Sequence, residues 1–270
     1  MPPVDVAAAV IANARLSRDY SVLSLAAPEV GRRTKPGQFV MVKPEGVTDP
    51  LLRRPFSVFE VLRDARGDII GVSILNKKAG RSTKKLYELE EGDIVSCLGP
   101  LGVPFTPVTA PQEGWMVAGG VGLAPFATLA ESLSASGTPA TLFYGARSAD
   151  ELFYLEFFEK LGVKLVLSTE DGGRGIKGRV IVPLEAALKS VGPAGAMVYS
   201  CGPEPMLEAV AKLAARYNQP SQVSVERVMG CGLGGCYSCV VPVRHGDEHA
   251  NLVRSCISGP VFDGAELVWE

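Results

Sequence analysis

No run of apolar residues in this chain is long enough to cross a bilayer. The longest, Trp115 to Ala130, covers 16 residues and is broken by glycines and a proline. That falls short of the roughly 20 that a spanning helix needs, so no membrane association is expected. An excess of either charge is also lacking: 27 basic and 29 acidic side chains leave a formal net charge of -2, which gives no general attraction to nucleic acid or to anionic lipid. Histidine is scarce, and the two present, His245 and His249, flank an acidic Gly246-Asp247-Glu248 turn and read as loop residues, not ligands. Neither an H-E-x-x-H sequence nor a Ser/His/Asp nucleophile set is found. The opening Met1-Pro-Pro-Val-Asp-Val-Ala-Ala-Ala-Val has no basic n-region, so a secretory signal is not supported and the protein is expected to be cytoplasmic.

What is present is an ordinary globular composition, 47% hydrophobic and 21% charged over 270 residues. At about 100 to 200 residues per domain this suggests two units, or two with a small appendage. Up to about Pro107, short β-branched or aromatic runs (Tyr20–Leu25, Gln38–Val42, Phe56–Val61, Ile69–Leu75, Ile94–Cys97) are separated by turn residues, the pattern of an antiparallel barrel or sandwich. A short helix is expected over Lys84–Glu90. Beyond Pro107, Pro111 and Gly114 the rhythm changes. Apolar runs at Trp115–Ala118, Ala140–Tyr144, Lys164–Ser168, Ala196–Ser200 and Gln222–Val225 alternate with helical stretches at Pro125–Ser134, Glu151–Leu161, Val180–Lys189 and Glu204–Tyr217. That alternation predicts a parallel sheet with helices on both faces. From about Arg227 a glycine- and cysteine-rich tail follows, with runs at Cys239–Val243 and Ala265–Trp269. It is too short for a core of its own and must be stapled. No internal repeat or low-complexity stretch is found; the alanines near residue 8 are too few for one.

Four of the six cysteines fall within 26 residues as C-x4-C-x2-C-x16-C: Cys231, Cys236, Cys239 and Cys256. The first two gaps are those of plant-type ferredoxin loops, in which four thiolates reach two irons. Gly230, Gly232, Gly234 and Gly235 free the loop of Cβ atoms, so backbone N–H groups can turn toward sulfur. A zinc site of four cysteines and a pair of disulfides are the alternatives. Cys97, inside an apolar run, reads as core packing.

A second signal is Met116-Val-Ala-Gly119-Gly120-Val121-Gly122-Leu-Ala-Pro125-Phe126, an apolar strand entering a glycine turn with Pro125 placed for the first turn of a helix. Such a turn cradles a diphosphate on free N–H groups, or is merely a tight connection. It departs from G-x-G-x-x-G, and no acid closes the second strand at Tyr144-Gly145-Ala146-Arg147, where a ribose-binding carboxylate ordinarily stands. Arg147 and Ser148 there can grip a 2′-phosphate, leaving NAD against NADP open. Glu170 and Asp171 follow a strand and suit either a ribose hydroxyl or an exposed turn. The turn resembles that of ferredoxin-reductase-like enzymes, whose nicotinamide domain carries a later Cys-Gly-Pro; here it is Cys201-Gly202-Pro203. Cys201 ends a predicted parallel strand, where open α/β sheets bind ligands, and reads as a catalytic residue near the nicotinamide or as a buried structural cysteine.

A third signal, Arg54-Pro55-Phe56-Ser57 after Arg53, is similar to the R-x-[YF]-[ST] flavin motif of that superfamily. Arg54 suits a pyrophosphate, Phe56 packing against a flavin, and the Ser57 hydroxyl a catalytic hydrogen bond near the reactive flavin edge. Gly80-Arg81-Ser82-Thr83 stands where relatives carry G-x-G-T; Ser82 replaces the second glycine, and the Ser82 and Thr83 hydroxyls are the substitutes for backbone capture of phosphate. Lys77, Lys78, Lys84 and Lys85 read mostly as a solvated basic loop. Gly99-Pro100-Leu101-Gly102-Val-Pro-Phe105 resembles the usual end of the flavin barrel.

Taken in order, these motifs resemble the electron-transfer subunits of class 1B dihydroorotate dehydrogenases across essentially the whole chain, with Glu226-Arg-Val-Met229-x-Cys231 adding to the match. The resemblance implies an antiparallel Greek-key flavin-binding barrel over 1–108, a parallel α/β nicotinamide-binding domain over 109–226 and a small C-terminal 2Fe-2S subdomain over 227–270. It implies FAD, NAD and a 2Fe-2S cluster as cofactors. The FAD and NAD residues would be Arg54, Pro55, Phe56, Ser57, Gly80, Arg81, Ser82, Thr83, Gly119, Gly120, Gly122, Pro125, Gly202 and Pro203. The partner would be a catalytic, FMN-containing dihydroorotate dehydrogenase subunit in a heterotetramer of two plus two, meeting this chain near the cluster. Electrons from dihydroorotate would cross the cluster singly to FAD and leave as hydride to NAD+, in pyrimidine biosynthesis. The small subunit of an NADH-dependent ferredoxin:NADP oxidoreductase or sulfide dehydrogenase shares the layout, although some of those carry aspartate for one cysteine. An oxygenase reductase and, from another class, a zinc-stapled nucleotide sensor are further alternatives.

Overall fold

The computed structural model describes residues 2–244, 246 and 249–269. Of the acidic loop, His245, Asp247 and Glu248 lie outside the described residues; His249 is exposed, and its carbonyl accepts from the Asn251 side chain.

The N-terminal strands are β1 (Val4–Arg15), β2 (Tyr20–Leu25), β3 (Phe39–Pro44), β4 (Arg54–Ser57), β5 (Val61–Arg63), β6 (Ile69–Lys77) and β7 (Ile94–Leu101). They form one antiparallel sheet, curled into a half-barrel, in the order β4-β3-β7-β1-β2-β6-β5. The alanine-rich sequence gives no expectation of β1, because alanine is depleted in strands. Pairing from both sides overrides that preference: Val4–Ala9 runs against β7 and Val10–Arg15 against β2, with Ala8 and Val10 turned into the core. The run expected over Phe56–Val61 is two strands, because the chain changes partner there. β4 pairs with β3 and β5 with β6, while the Val58 and Phe59 N–H groups donate to the Gln38 and Ser73 carbonyls at the crossing. Arg54–Ser57 is thereby left half-buried along the sheet edge. Cys97 lies in the core with Leu23, Val40, Ile74 and Val95, and burial pushes its thiol up to about 12. Helix α1 (Pro28–Arg33) carries no clear sequence signal. Helix α2 (Arg81–Glu88) starts earlier than expected, because the Thr83 hydroxyl accepts from the Ala79 and Gly80 N–H groups and caps it.

The second sheet contains β8 (Glu113–Gly119), β9 (Ala140–Ala146), β10 (Lys164–Thr169), β11 (Ile176–Lys177), β12 (Ala196–Cys201) and β13 (Ser221–Ser224), all parallel. Their order is β11-β10-β9-β8-β12-β13, with one more strand beyond β13. Side chains along β8 alternate between two cores. Met116 and Ala118 pack with α3 (Phe126–Ala135) and α4 (Leu155–Lys160) on one face; Trp115 and Val117 pack with α5 (Ile181–Leu188) and α6 (Glu204–Arg216) on the other. The helix expected over Glu151–Leu161 is shorter. Residues Leu152–Tyr154 are drawn out toward the half-barrel, where Phe153 meets Tyr20 at 4.8 Å and Tyr154 meets Phe59 at 4.6 Å between ring centroids.

The tail is stapled by borrowing. Its last strand, β16 in chain order (Val261–Asp263), extends the parallel sheet antiparallel to β13, and β14 (Val240–Val243) and β15 (Asn251–Arg254) form a separate hairpin. The run expected at Ala265–Trp269 contributes a single bridge, Leu267 to Val243. Phe262, Val241, Val243 and Leu267 pack on Leu207, Ala211 and Val223 of the α/β unit, while Met229, Cys239 and Cys256 pack on Phe39, Met41, Leu98 and Leu101 of the half-barrel.

The two sheets are locked by the link between them. Phe105 stacks on Phe126 at 5.8 Å and meets Tyr199 edge-on at 5.4 Å; the Tyr199 hydroxyl accepts from the Val108 N–H and donates to the Thr106 carbonyl. The switch point of the sheet, between β8 and β12, therefore faces the half-barrel. Phe105→Ala is expected to remove about 3–5 kcal/mol of stability, read as a lower thermal midpoint of the cofactor-loaded protein than that of an exposed control such as Val182→Ala.

Candidate functional site

Two cavities meet at this junction. The larger, about 840 Å³, is lined by Arg54–Ser57 of β4, by Gly80–Thr83 opening α2, by Cys201 at the end of β12, and by Glu226, Arg227 and Met229 of the tail. The smaller, about 450 Å³, is lined by Gly119 and Gly120 beyond β8, by Arg147 and Glu151, and by Pro203 and Met206 at the start of α6. Lys77, Val121 and Glu226 belong to both.

The adjacent arginines have separate tasks. Arg53 is held by Asp5 at 2.7 Å and by the Ser96 hydroxyl, pinning β1 to β7, whereas Arg54 makes one long bond of 3.4 Å, to the carbonyl of Arg53, and faces the larger cavity. A free guanidinium and the opening turn of α2 thus meet in one space walled by Phe39, Phe56, Leu75 and Val121, a donor set that fits a pyrophosphate carrying an aromatic ring. The Thr83 hydroxyl is committed to its own turn, donating to the Gly80 carbonyl besides capping; Ser82 is buried at the wall. Of the four lysines, Lys77 stands apart from a solvated loop: it lines both cavities, with its ammonium 5.1 Å from the Tyr20 ring centre. Lys78 and Lys84 pair with Asp19 and Glu88, and Lys85 donates to the Asp49 carbonyl.

The glycine turn divides its residues between lining and packing. Gly119 and Gly120 face the smaller cavity and Gly120 is left-handed, but Gly122 lies behind them, where a Cβ would stand 2.2 Å from the carbonyl oxygen of Cys201. It is glycine because the turn beyond β8 approaches the end of β12 too closely for a side chain. Gly202 packs against Gly119 and Met206, and Pro125 precedes α3 behind the wall, outside the lining of either cavity. The Cys201 side chain is buried against the larger cavity; burial raises its thiol, the Glu226 carboxyl adds to the shift, and a Ser224 hydrogen bond offsets part of it. Burial also raises Glu226. Asp171 accepts from the Gly173 N–H and is a turn residue, while Glu170 lines the smaller cavity.

The clustered cysteines sit under the larger cavity and share Phe39 and Met229 with it. Among the described residues no three His, Cys, Asp or Glu side chains close around one point; Cys231 acts on Cys236, and both Cys239 and Cys231 act on Cys256, so the four thiols are neighbours. The exposed Cys236 thiol is held near 6, first by hydrogen bonds from Ser238 and then from Cys231; Cys256 is raised to about 11 by burial and by Cys239. The Leu233 N–H donates to Cys231 sulfur at 3.3 Å. Gly232 and Gly234 are left-handed, and a Cβ on them would meet Met41 at 2.6 Å and Ile257 at 2.8 Å, so the loop hugs both the half-barrel and α7 (Ser255–Ser258).

Lys77, Glu226, Met229 and Glu151 are among the lining or bridging residues that sequence reasoning did not assign to a site. Glu226 and Met229 stand inside the recognised Glu226-Arg-Val-Met229 string, but nothing local marks a carboxylate as facing two cavities at once.

Family models match in three blocks: an oxidoreductase FAD-binding domain over residues 7–105, an oxidoreductase NAD-binding domain over 116–212, and the iron-sulfur cluster binding domain of dihydroorotate dehydrogenase B over 226–268. The dihydroorotate dehydrogenase B (NAD(+)) electron transfer subunit of Geobacillus kaustophilus is 37% identical over 263 residues, 96% of each chain. A probable one from Methanocaldococcus jannaschii is 38% identical over 86% of this chain and 80% of its own. Among solved structures, one from the NADH-dependent reduced ferredoxin-NADP oxidoreductase, studied for flavin-based electron bifurcation, superposes with a TM-score of 0.82 at 25% identity, covering 98% of this chain and 90% of that one. The ferredoxin reductase of carbazole 1,9a-dioxygenase shares the fold, with a TM-score of 0.71 at 22% identity over 81% of this chain and 67% of its own. With FAD, NAD and iron-sulfur domains in one chain and relatives of this identity along nearly its whole length, the protein belongs to the electron transfer subunits of dihydroorotate dehydrogenase B, which link a catalytic dihydroorotate dehydrogenase subunit to NAD+.

Proposed function

We propose that the larger cavity holds FAD, the smaller one the nicotinamide dinucleotide, and the clustered cysteines a 2Fe-2S cluster, so that one electron path runs cluster, flavin, nicotinamide. The observation that carries this is contiguity: Phe39 and Met229 join the cysteine pocket to the larger cavity, and Lys77, Val121 and Glu226 join that cavity to the smaller. Flavin there supplies the exchange between single electrons at the cluster and paired electrons at nicotinamide. Arg54 and the start of α2, with Gly80 to Thr83, hold the flavin's pyrophosphate; Phe56 and Pro55 cover its ring and Ser57 hydrogen-bonds its edge. Gly119 and Gly120 offer the dinucleotide its N–H cradle, which Gly122, Pro125 and Gly202 shape from behind, and Pro203 closes it. Cys201, at the wall between flavin and nicotinamide, keeps its proton and excludes water there.

The same reading divides the chain at 108 and 226 and makes the assembly a cytoplasmic heterotetramer of two electron-transfer and two FMN-containing catalytic subunits. Around the cysteines, Val228, Leu233, Tyr237, Leu252 and Ile257 are exposed apolar side chains, the composition of a protein interface more than of a free surface. They are the proposed seat of the catalytic subunit, close to the group that must exchange electrons with it.

Three outcomes follow from these assignments. Arg54→Ala is expected to weaken FAD binding by about ten- to a hundredfold, the worth of a charge-assisted bond, in reconstitution of flavin-stripped protein; unchanged affinity would remove Arg54 from the site. In anaerobically purified Cys239→Ser, iron and acid-labile sulfide should fall to background while FAD is retained, whereas a wild-type protein with one zinc per chain and no iron would end the cluster assignment. Leu233→Asp with Tyr237→Ala should abolish co-purification with the catalytic subunit at micromolar concentration and leave NADH-driven ferricyanide reduction intact. If the isolated chain oxidised dihydroorotate by itself, the division of labour between subunits would be wrong.

A further inference from the structure

In dinucleotide-binding sheets an acid at the end of the second strand receives the ribose hydroxyls of NAD, and an arginine there receives the 2′-phosphate of NADP. By that rule this chain, whose β9 runs out into Arg147 and Ser148, should take the phosphorylated nucleotide. The structure reverses the reading. Glu151, on the turn that follows, accepts from Arg147 Nε at 3.2 Å and also from its Nη2, a bidentate pairing that uses the guanidinium face a phosphate would need. The Ser148 hydroxyl, the other group suited to a phosphate oxygen, is taken by Asp150. Glu151 is the sheltered member of its pair, 15% exposed against 68% for Arg147, and Arg147, followed by Lys77, holds its carboxyl below the ordinary range, so it stays ionised at neutral pH.

The position is fixed by the sheet. Gly119, where the diphosphate turn begins, lies opposite Gly145 in the parallel register, and Arg147 is two residues beyond Gly145. Arg147 and Glu151 therefore line the smaller cavity one strand to the side of the turn. Lys77 and Arg179 are the other cations of that cavity, and Glu170 and Glu226 its other acids. The Tyr20 phenol is buried beside Arg147 without a hydrogen bond of good geometry.

We propose that Glu151 is the residue that sets nucleotide preference: by occupying Arg147 and presenting its own carboxylate, it admits the ribose diol of NAD(H) and refuses the 2′-phosphate of NADP(H). This rests on the smaller cavity being the dinucleotide site. The missing acid of the strand end is supplied four residues later, by a side chain that folds back onto the arginine.

The test uses the full chain loaded with FAD and cluster. Glu151→Gln keeps the size of the side chain and removes the charge; with Arg147 freed, the ratio of kcat/KM for NADPH over NADH, with ferricyanide as acceptor, is expected to rise about tenfold or more. The change should sit in KM for NADPH, not in kcat. Adding Arg147→Ala to Glu151→Gln should cancel the gain, which assigns it to Arg147 and not to Arg179 or Lys77. Calorimetric titration with 2′-phospho-AMP and with AMP gives a readout independent of turnover: the first should tighten in Glu151→Gln and the second should not. A Glu151→Gln protein that oxidises NADH normally with an unchanged ratio overturns the proposal alone. Equal losses with both nucleotides would make Glu151 a structural brace and overturn it too. A wild-type protein that binds AMP nowhere near this cavity, as shown by unchanged affinity on Gly120→Val, overturns the site assignment and the proposal with it.

Discussion

Everything the molecule does has to pass the segment that leaves β13. Its first residue, Val225, donates its N–H to Pro260 and so is fixed between the last parallel strand and the returning tail. The next, Glu226, faces both cavities; Arg227 is clamped by Glu204 at the head of α6 through two bonds of 2.6 and 2.9 Å; and Met229 is driven into the half-barrel beside Phe39. Within five residues the chain thus touches the parallel sheet, the junction cavities and the cysteine pocket in turn. With Val225 bonded at one end and Met229 packed into the half-barrel at the other, four residues of covalent chain limit how far the parallel sheet and the cysteine pocket can separate.

That rigidity bears on electrostatics as much as on distance. Two groups at the junction have their protonated forms favoured: burial raises the Cys201 thiol, with the Glu226 carboxylate adding to the shift, and desolvation raises Glu226 itself. Positive side chains line both cavities, Arg54, Arg81 and Arg227 the larger and Arg147 and Arg179 the smaller, with Lys77 common to the two. Cations spread along both cavities favour an anionic ligand in each, since a phosphate there meets charge of opposite sign.

Legibility in the sequence followed the locality of each signal. The cysteine cluster could be read from spacing because a chelating loop is a local object, and the alternating strands and helices of 113–224 because a strand buried on both faces writes a continuous apolar run. β1 was illegible: its alanines carry no strand preference, and what makes it a strand is β7 on one side and β2 on the other, both distant in sequence. Arg53 and Arg54 look equivalent as a dipeptide, and only Asp5 and Ser96, brought in from β1 and β7, assign one to the sheet and leave the other for the cavity. Gly122 was legible as a glycine that matters but not as to why, since its neighbour is the carbonyl of Cys201, 79 residues on. Likewise the paired state of Arg147 depends on a turn whose shape is dictated by Phe153 and Tyr154 reaching across to the half-barrel.

The likeness to ferredoxin reductases of other systems shows that two sheets meeting at a cofactor junction form a general frame, and a frame does not name its partner. What distinguishes this chain is what has been laid over the frame. The tail has too few apolar residues for a core of its own and shares one on each side, its Phe262 and Val243 packing on the α/β unit and its Met229 and Cys239 on the half-barrel. A segment that depends on two hosts folds only when both are present and correctly joined, so assembly of the cysteine pocket reports on the junction beneath it. The hydrophobic side chains spent on the hosts are buried, and those left over, Val228, Leu233, Tyr237, Leu252 and Ile257, stand outward around the same pocket. In water an apolar cluster of that kind is a cost unless something covers it; its persistence beside the one-electron site is the physical reason to look there for the subunit from which electrons arrive.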